Sequence, residues 1–370
     1  MFATLQGIYH LQWKPNPKFK PLPPHISREY VPTPNGDLEL LVSQPKNPEK
    51  SCPPIIFAHG GFGHASLWIE WMTYFHHHYG GTTYAYSARN HGASYGVTYL
   101  KMVFGTTLED VASDWASVIH DVKHKFEHGT EPVLVAHSAG GALTQFVLLN
   151  YPTTTRGLCL LGSVPHFGGY GAYWNWMKMD PWLMLRNLFS GGHPTSPLCQ
   201  PALVHRAFFG PHYPKAKDDG WDRVKEFMRW MPGYESMAWA MALNGSFWKW
   251  ICGRNEWLDV NKIVTSINGW ERKGDRICIM VGSHDRLTDP SMAERSFKEY
   301  SAAVATLQSG KKLEISEQSG PGDDEPIAGT RETAANQVRM VTIEGAGHHT
   351  QNDVQCDIAA EACLKWVQQL

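Results

Sequence analysis

Three residues far apart in the chain could form one chemical unit. Ser138 lies in Ala136-His137-Ser138-Ala139-Gly140, Asp285 in Gly282-Ser283-His284-Asp285-Arg286, and His348 in Gly345-Ala346-Gly347-His348-His349. A serine hydroxyl is a poor nucleophile until an imidazole removes its proton. That imidazole must be held in one tautomer by a carboxylate, and the oxyanion that follows needs two donors. Ile56-Phe57-Ala58-His59-Gly60-Gly61-Phe62-Gly63 could supply one, because glycines let backbone N–H groups approach closely. The N–H of Gly61 or Phe62 would then join that of Ala139. His349 competes with His348 for the role of base, and the Gly-x-Gly-His setting favours His348. Asp285 could instead cap the helix near Pro290, but Asp289 is the better-placed cap.

Such a unit requires strands that end together. Leu38–Val42, Ile55–Ala58, Thr82–Tyr86, Val133–Ala136, Leu158–Leu161, Ile277–Val281 and Val338–Ile343 read as strands, with helical patterns between several of them. The clearest helix spans Thr107 to Phe126, where Leu108, Val111, Trp115, Val118, Ile119, Val122 and Phe126 form one stripe and Thr107 with Asp110 resembles a capped start. Another runs from about Asn352 to Leu370. Alternation of this kind predicts a mostly parallel sheet with helices on both faces. Ser138, Asp285 and His348 all fall just beyond strand ends, where open sheets of this class build their sites.

Two regions break the alternation. Residues 164–264 carry no strand signal and are crowded with aromatics and methionines, so they read as a helical cap inserted between a first core part, 1–163, and a second, 265–370. Most of these aromatics would fill the cap's own core. Their number predicts that some line an apolar cavity, and Phe62, His137, Trp174, Trp176 and Trp239 are the candidates for substrate contact. A Trp-rich cap surface could equally join two copies of the chain. Residues 309–336 are polar with several Gly and Pro, which predicts a surface excursion between the last two strands.

The motifs together resemble the α/β-hydrolase superfamily across nearly the whole chain. The order Ser138, Asp285, His348 is the superfamily's order, and Tyr86-Ser87-Ala88-Arg89-Asn90-His91-Gly92-Ala93-Ser94 is similar to its Arg-Gly-His-Gly-x-Ser turn. The resemblance implies an α/β fold with a mostly parallel eight-stranded sheet and an inserted helical cap. It makes Ser138 the nucleophile, Asp285 the acid and His348 the base. Ala136 replaces a usual Gly, and Asn90 stands where Gly is common, a position that can require positive φ. The cap stretches Gly191–Leu198 and Met231–Met237 resemble those of fungal hydrolases of natural-product pathways. That implies a polyketide- or peptide-derived apolar substrate and leaves open a reaction other than hydrolysis.

Composition excludes other classes. A net charge of −2 gives no electrostatic case for nucleic acid or an anionic membrane. No run approaches the roughly 18 apolar residues that a spanning helix needs, and the first twenty residues lack a signal-peptide pattern. Seven cysteines without paired spacing predict reduced thiols and a cytoplasmic protein. His76, His77 and His78 are consecutive on a helix and point in different directions, so they do not converge on a metal. The mechanism needs no metal or organic cofactor. The expected activity is cleavage of an apolar or aromatic ester, lactone or thioester. A cyclase or lyase, a peptidase and a non-catalytic ligand receptor remain as alternatives, while Ser138 at the elbow disfavours epoxide hydrolase or dehalogenase chemistry.

Overall fold

The short apolar runs ending at Ala58, Tyr86, His137, Leu161 and Gly282 are buried on both faces, as central parallel strands must be. The computed structural model describes residues 19–98, 100–126, 130–182, 185, 200–214, 222–232, 235–245, 251–252, 257–311 and 327–370. Its strands are β1 (Ile26–Thr33), β2 (Gly36–Ser43), β3 (Ile55–Ala58), β4 (Thr83–Tyr86), β5 (Val133–His137), β6 (Gly157–Leu161), β7 (Ile277–Gly282), β8 (Thr330–Ala335) and β9 (Val338–Ile343). They form one sheet in the order β1-β2-β4-β3-β5-β6-β7-β9-β8. The β1/β2, β2/β4 and β8/β9 pairs are antiparallel and the rest parallel.

The sheet therefore has nine strands, where eight were expected. Both strands that the sequence reading passed over, β1 and β8, lie at the edges and are polar and half-exposed. An edge strand packs one face at most, so its hydrophobic signal is weak. The polar excursion expected over residues 309–336 is corrected accordingly. Residues 309–311 end a helix, residues 330–335 are β8, and residues 312–326 lie outside the described residues.

Helices α1 (Ile69–His78), α2 (Leu108–Lys125), α3 (Ala139–Asn150), α4 (Tyr170–Met179), α5 (Pro201–Phe208), α6 (Asp222–Trp230), α7 (Met237–Ala242), α8 (Val260–Ile263), α9 (Pro290–Lys311) and α10 (Cys356–Val367) accompany the sheet. One core buries α2, α3 and α9 against one face of the sheet, and a second buries α1 and α10 against the other. The α2 start is a reciprocal capping box, with Thr107 and Asp110 each bonded to the other's backbone N–H. Between β6 and β7 the described elements are helices joined by turns, with no strand of the sheet among them. They build a third, smaller core from Met179, Val204, Phe208, Phe209, Val224 and Met231, into which Phe62, Leu67 and Leu287 also pack. Among the described residues no helix is long and apolar enough to cross a membrane.

Candidate active site

Ser138 stands at the end of β5 with φ 53° and ψ −125°, and α3 begins at the next residue. So sharp a reversal is strained for a residue with a Cβ, and persists only where the surroundings impose it. They do so by close approach. A Cβ on Gly140 would lie 2.1 Å from the His59 carbonyl oxygen, so only glycine lets α3 pass the end of β3. The Ser138 N–H donates to Leu161 O at 3.1 Å, which ties the turn to β6.

The Ser138 hydroxyl is 2.9 Å from His348 Nε2, and His348 Nδ1–H donates to Asp285 Oδ2 at 2.8 Å. Asp285 and His348 are both buried. Asp285 Oδ1 accepts the N–H groups of Leu287 and Thr288, at 2.8 and 3.0 Å. The Thr288 hydroxyl lies 2.8 Å from both Asp285 Oδ2 and Gly162 O, so its one proton is shared between them. Asp289, by contrast, accepts the N–H groups of Ser291 and Met292 at the start of α9. Asp289 thus caps α9, and Asp285 lies against His348.

His348 rides on a turn that approaches the helical segment closely. A Cβ on Gly347 would lie 2.4 Å from the Phe209 carbonyl carbon, so the glycine before His348 is a packing requirement. His349 is directed elsewhere. Its N–H donates to Phe208 O at 2.7 Å and its Nδ1 faces Asn352 Oδ1 at 3.3 Å. Burial, then the charge His348 would carry, push the His349 imidazole down to about 3, so it is neutral near pH 7.

On the other side of Ser138, the Gly61 and Ala139 N–H groups have no acceptor among the described residues, and both residues line the same pocket as Ser138. The Phe62 N–H is engaged, donating to Glu235 Oε2 at 3.0 Å. Of the two donors the glycine loop could offer, Gly61 is the one left open. His59 holds that loop, with Nδ1–H donating to Gly60 O at 2.7 Å and Nε2 accepting from the Ala88 N–H at 3.0 Å. Burial, reinforced by His91, depresses its pKa to about 3, the neutral form this bonding requires.

The pocket is lined largely by apolar groups, including Ala172, Tyr173, Trp176, Phe208, Trp239, Leu243 and Leu287. Of the residues expected to contact substrate, Phe62, Trp176 and Trp239 line this pocket. Trp174 does not: it is 52% exposed and lies under the Lys178 ammonium, 5.9 Å from its ring centre. Positions 174 and 176 are two apart on α4, hence about 200° around the helix, and cannot share a face. His137 is also displaced from the pocket. It is 1% exposed behind Ser138, with Nε2–H donating to His348 O at 3.0 Å. Burial, then His349 and His348, hold its imidazole well below the ordinary value.

Thr288, Glu235 and His91 were not singled out from sequence. Thr288 follows Asp285 by three residues, a spacing that could have suggested an Asx-type turn. Glu235 carried a faint signal as an acid in an aromatic run. The Asn90 φ of 65° matches the expectation for its turn. Arg89 beside it is buried in a two-pronged bond to Asp114, Nε to Oδ2 at 2.7 Å and Nη2 to Oδ1 at 2.9 Å. Among the described residues no group of three or more His, Cys, Asp or Glu is placed to hold a metal ion.

The sequence matches the alpha/beta hydrolase family over residues 55–360. No curated protein matches it in sequence. Among solved structures it is similar in fold to a proline iminopeptidase from Mycobacterium smegmatis, at 14% identity and a TM-score of 0.54, covering 93% of this chain and 98% of that one. A carboxylesterase from Bacillus subtilis is similar at 14% identity and a TM-score of 0.52, covering 99% and 96%. An E-2-(acetamidomethylene)succinate hydrolase is similar at 16% identity and a TM-score of 0.52, covering 93% and 100%.

Proposed function

The chain belongs to the alpha/beta hydrolase family, and from that premise we propose that it is a serine hydrolase cleaving an apolar or aromatic carboxylic ester, lactone or thioester. The observation that carries the reading is the chain of contacts from Ser138 Oγ through His348 to Asp285, at 2.9 and 2.8 Å, facing two backbone N–H groups without acceptors.

In this reading Ser138 Oγ attacks the acyl carbon while His348 Nε2 takes its proton. The carbonyl oxygen becomes an oxyanion held by the Gly61 and Ala139 N–H groups. Asp285 keeps Nδ1 protonated and stabilises the imidazolium, with Thr288 and two backbone N–H groups fixing the carboxylate. His348 returns its proton to the departing alkoxide, or lends it to the thiolate, and the acyl group stays on Ser138. Water then gives a proton to His348 and attacks the acyl carbon, and His348 returns that proton to Ser138 Oγ as the intermediate collapses, releasing a carboxylic acid and free Ser138. Residues 164–264 act as a cap whose Trp176, Phe208 and Trp239 shape an apolar acyl or alcohol site.

A peptidase that cleaves next to a free N-terminus would need an acceptor for the substrate ammonium. Glu235 is the only carboxylate lining the pocket among the described residues, and both of its oxygens are already engaged. An ester panel tests the proposal: 4-nitrophenyl esters of rising acyl length, with Ser138→Ala as control. Turnover of at least one ester, lost in the variant, supports it. Equal turnover by both proteins contradicts it.

A further inference from the structure

Glu235 is an acid in an otherwise aromatic stretch, and its contacts join three parts of the chain. Oε1 accepts the Ser236 N–H and the Trp239 indole N–H, each at 2.8 Å. Oε2 accepts the Phe62 N–H at 3.0 Å and makes an ion-pair contact with His91 Nε2 at 3.0 Å. His91 also donates Nδ1–H to Arg89 O at 2.8 Å. Nδ1 thus has an acceptor, while Nε2 stands 3.0 Å from the carboxylate without hydrogen-bond geometry, a contact that the opposite charges of imidazolium and carboxylate favour. Burial opposes both charges, yet the pairing more than offsets it. The Glu235 carboxyl is brought down to about 2, and the His91 imidazole is raised above its ordinary value.

The recipient of this arrangement is a strained turn. Gly60 to Gly63 is closed by the Gly63 N–H donating to Gly60 O at 3.0 Å, and Phe62 occupies it with φ 58°. A turn of this shape normally has glycine at that position, and another residue there costs about 1–3 kcal/mol. Phe62 is held in it from two sides, by Glu235 at its N–H and by the burial of its ring in the third apolar core. The residue before it is Gly61, whose N–H faces the pocket without an acceptor.

We propose that Glu235, paired with His91, is a positioning residue for the oxyanion donors: its bond to the Phe62 N–H holds the Gly60–Gly63 turn so that the Gly61 N–H is presented to the acyl oxygen. This rests on the serine hydrolase reading. It also makes two events one. The helical segment that walls the pocket carries Glu235, so seating that segment completes the donor pair, and withdrawing it releases the turn. Gln cannot replace Glu here. One end of its amide would set an NH₂ against either the Phe62 N–H or the Ser236 and Trp239 N–H groups.

The test compares wild type with Glu235→Gln on an aryl ester, and measures inhibition by an aralkyl trifluoromethyl ketone and by the methyl ketone of the same skeleton. The trifluoromethyl ketone adds to Ser138 and forms an oxyanion, whereas its methyl counterpart binds as a neutral molecule. Glu235→Gln is expected to lower kcat about 10- to 100-fold with KM within about threefold. The trifluoromethyl ketone should weaken by a similar factor while the methyl ketone changes less than about threefold. A variant less stable to heat but with wild-type kcat and wild-type trifluoromethyl ketone affinity would overturn the inference and leave Glu235 a structural acid. If Glu235→Gln does not fold, Glu235→Asp is read by the same two ratios, since it keeps the charge and shortens the reach. A wild type that neither turns over an ester nor binds the trifluoromethyl ketone more tightly than the methyl ketone refutes the hydrolase reading itself, a separate result.

Discussion

Asp353 Oδ2 receives the Gly347 N–H at 2.8 Å and the Gly210 N–H at 2.7 Å, so one carboxylate ties the turn bearing His348 to the segment that covers it. Asp353→Ala leaves two buried N–H groups without acceptors. Each such loss costs about 1–3 kcal/mol, so the variant should unfold at lower denaturant, by about 2–6 kcal/mol in total. The turn it frees carries His348, and kcat should fall about tenfold or more beyond what unfolding explains. Chemical denaturation and steady-state kinetics on one preparation check both.

Asp285 and Thr288 separate orientation from support. In Asp285→Asn the amide can hold His348 in the wrong tautomer, and kcat should fall about 10³- to 10⁴-fold with the fold intact. Thr288→Val removes one hydroxyl from a carboxylate that keeps two backbone N–H bonds. Its effect should be about tenfold or less. A Thr288→Val loss as large as that of Asp285→Asn would assign the hydroxyl a role in proton transfer.

Arg89 is buried and forms a bidentate pair with Asp114, itself buried on α2. Removing one partner leaves an uncompensated charge, so Arg89→Ala should cost about 3–5 kcal/mol. The turn carrying His91 would loosen with it. Guanidinium chloride melts of the two proteins give the difference.

Stability should peak near pH 6.5. Below it, the buried imidazoles of His59, His64 and His349, depressed to about 3, stay neutral while the unfolded chain takes up protons at about 6.5. The unfolded state then binds more protons, and stability falls as pH drops from 6.5 toward 3. His91 works in the opposite sense. Its raised pKa gives stability that is complete below 6.5 and is lost as pH rises through the folded value. Melting temperatures from about pH 4 to about pH 9 should trace a dome. His64→Gln should flatten its acid limb and His91→Gln its alkaline limb.

How much of this was legible in the sequence depends on how local each signal is. Ser138, Asp285 and His348 could be proposed as a unit because each sits at or a few residues past the end of a strand whose apolar run is unmistakable, with small residues beside two of them. The strands β1 and β8 were missed because Arg28, Glu29, Arg331 and Glu332 belong to edges with little to bury. Trp174 was grouped with Trp176 on composition, although helix geometry sets them on opposed faces. His137 adjoins Ser138 in sequence, yet strand alternation turns it behind Ser138 and into the core. The pairing of Glu235 with Phe62 and His91 spans 173 residues in one case, and no spacing rule reaches that far.

The central claim is an activated hydroxyl at Ser138. The most direct measurement is labelling by a fluorophosphonate, followed by intact-mass determination and peptide mapping. The account predicts one equivalent of adduct on the peptide containing Ser138, with none in Ser138→Ala and a much slower reaction in His348→Ala. Labelling that persists in Ser138→Ala, or maps to another residue, would contradict it.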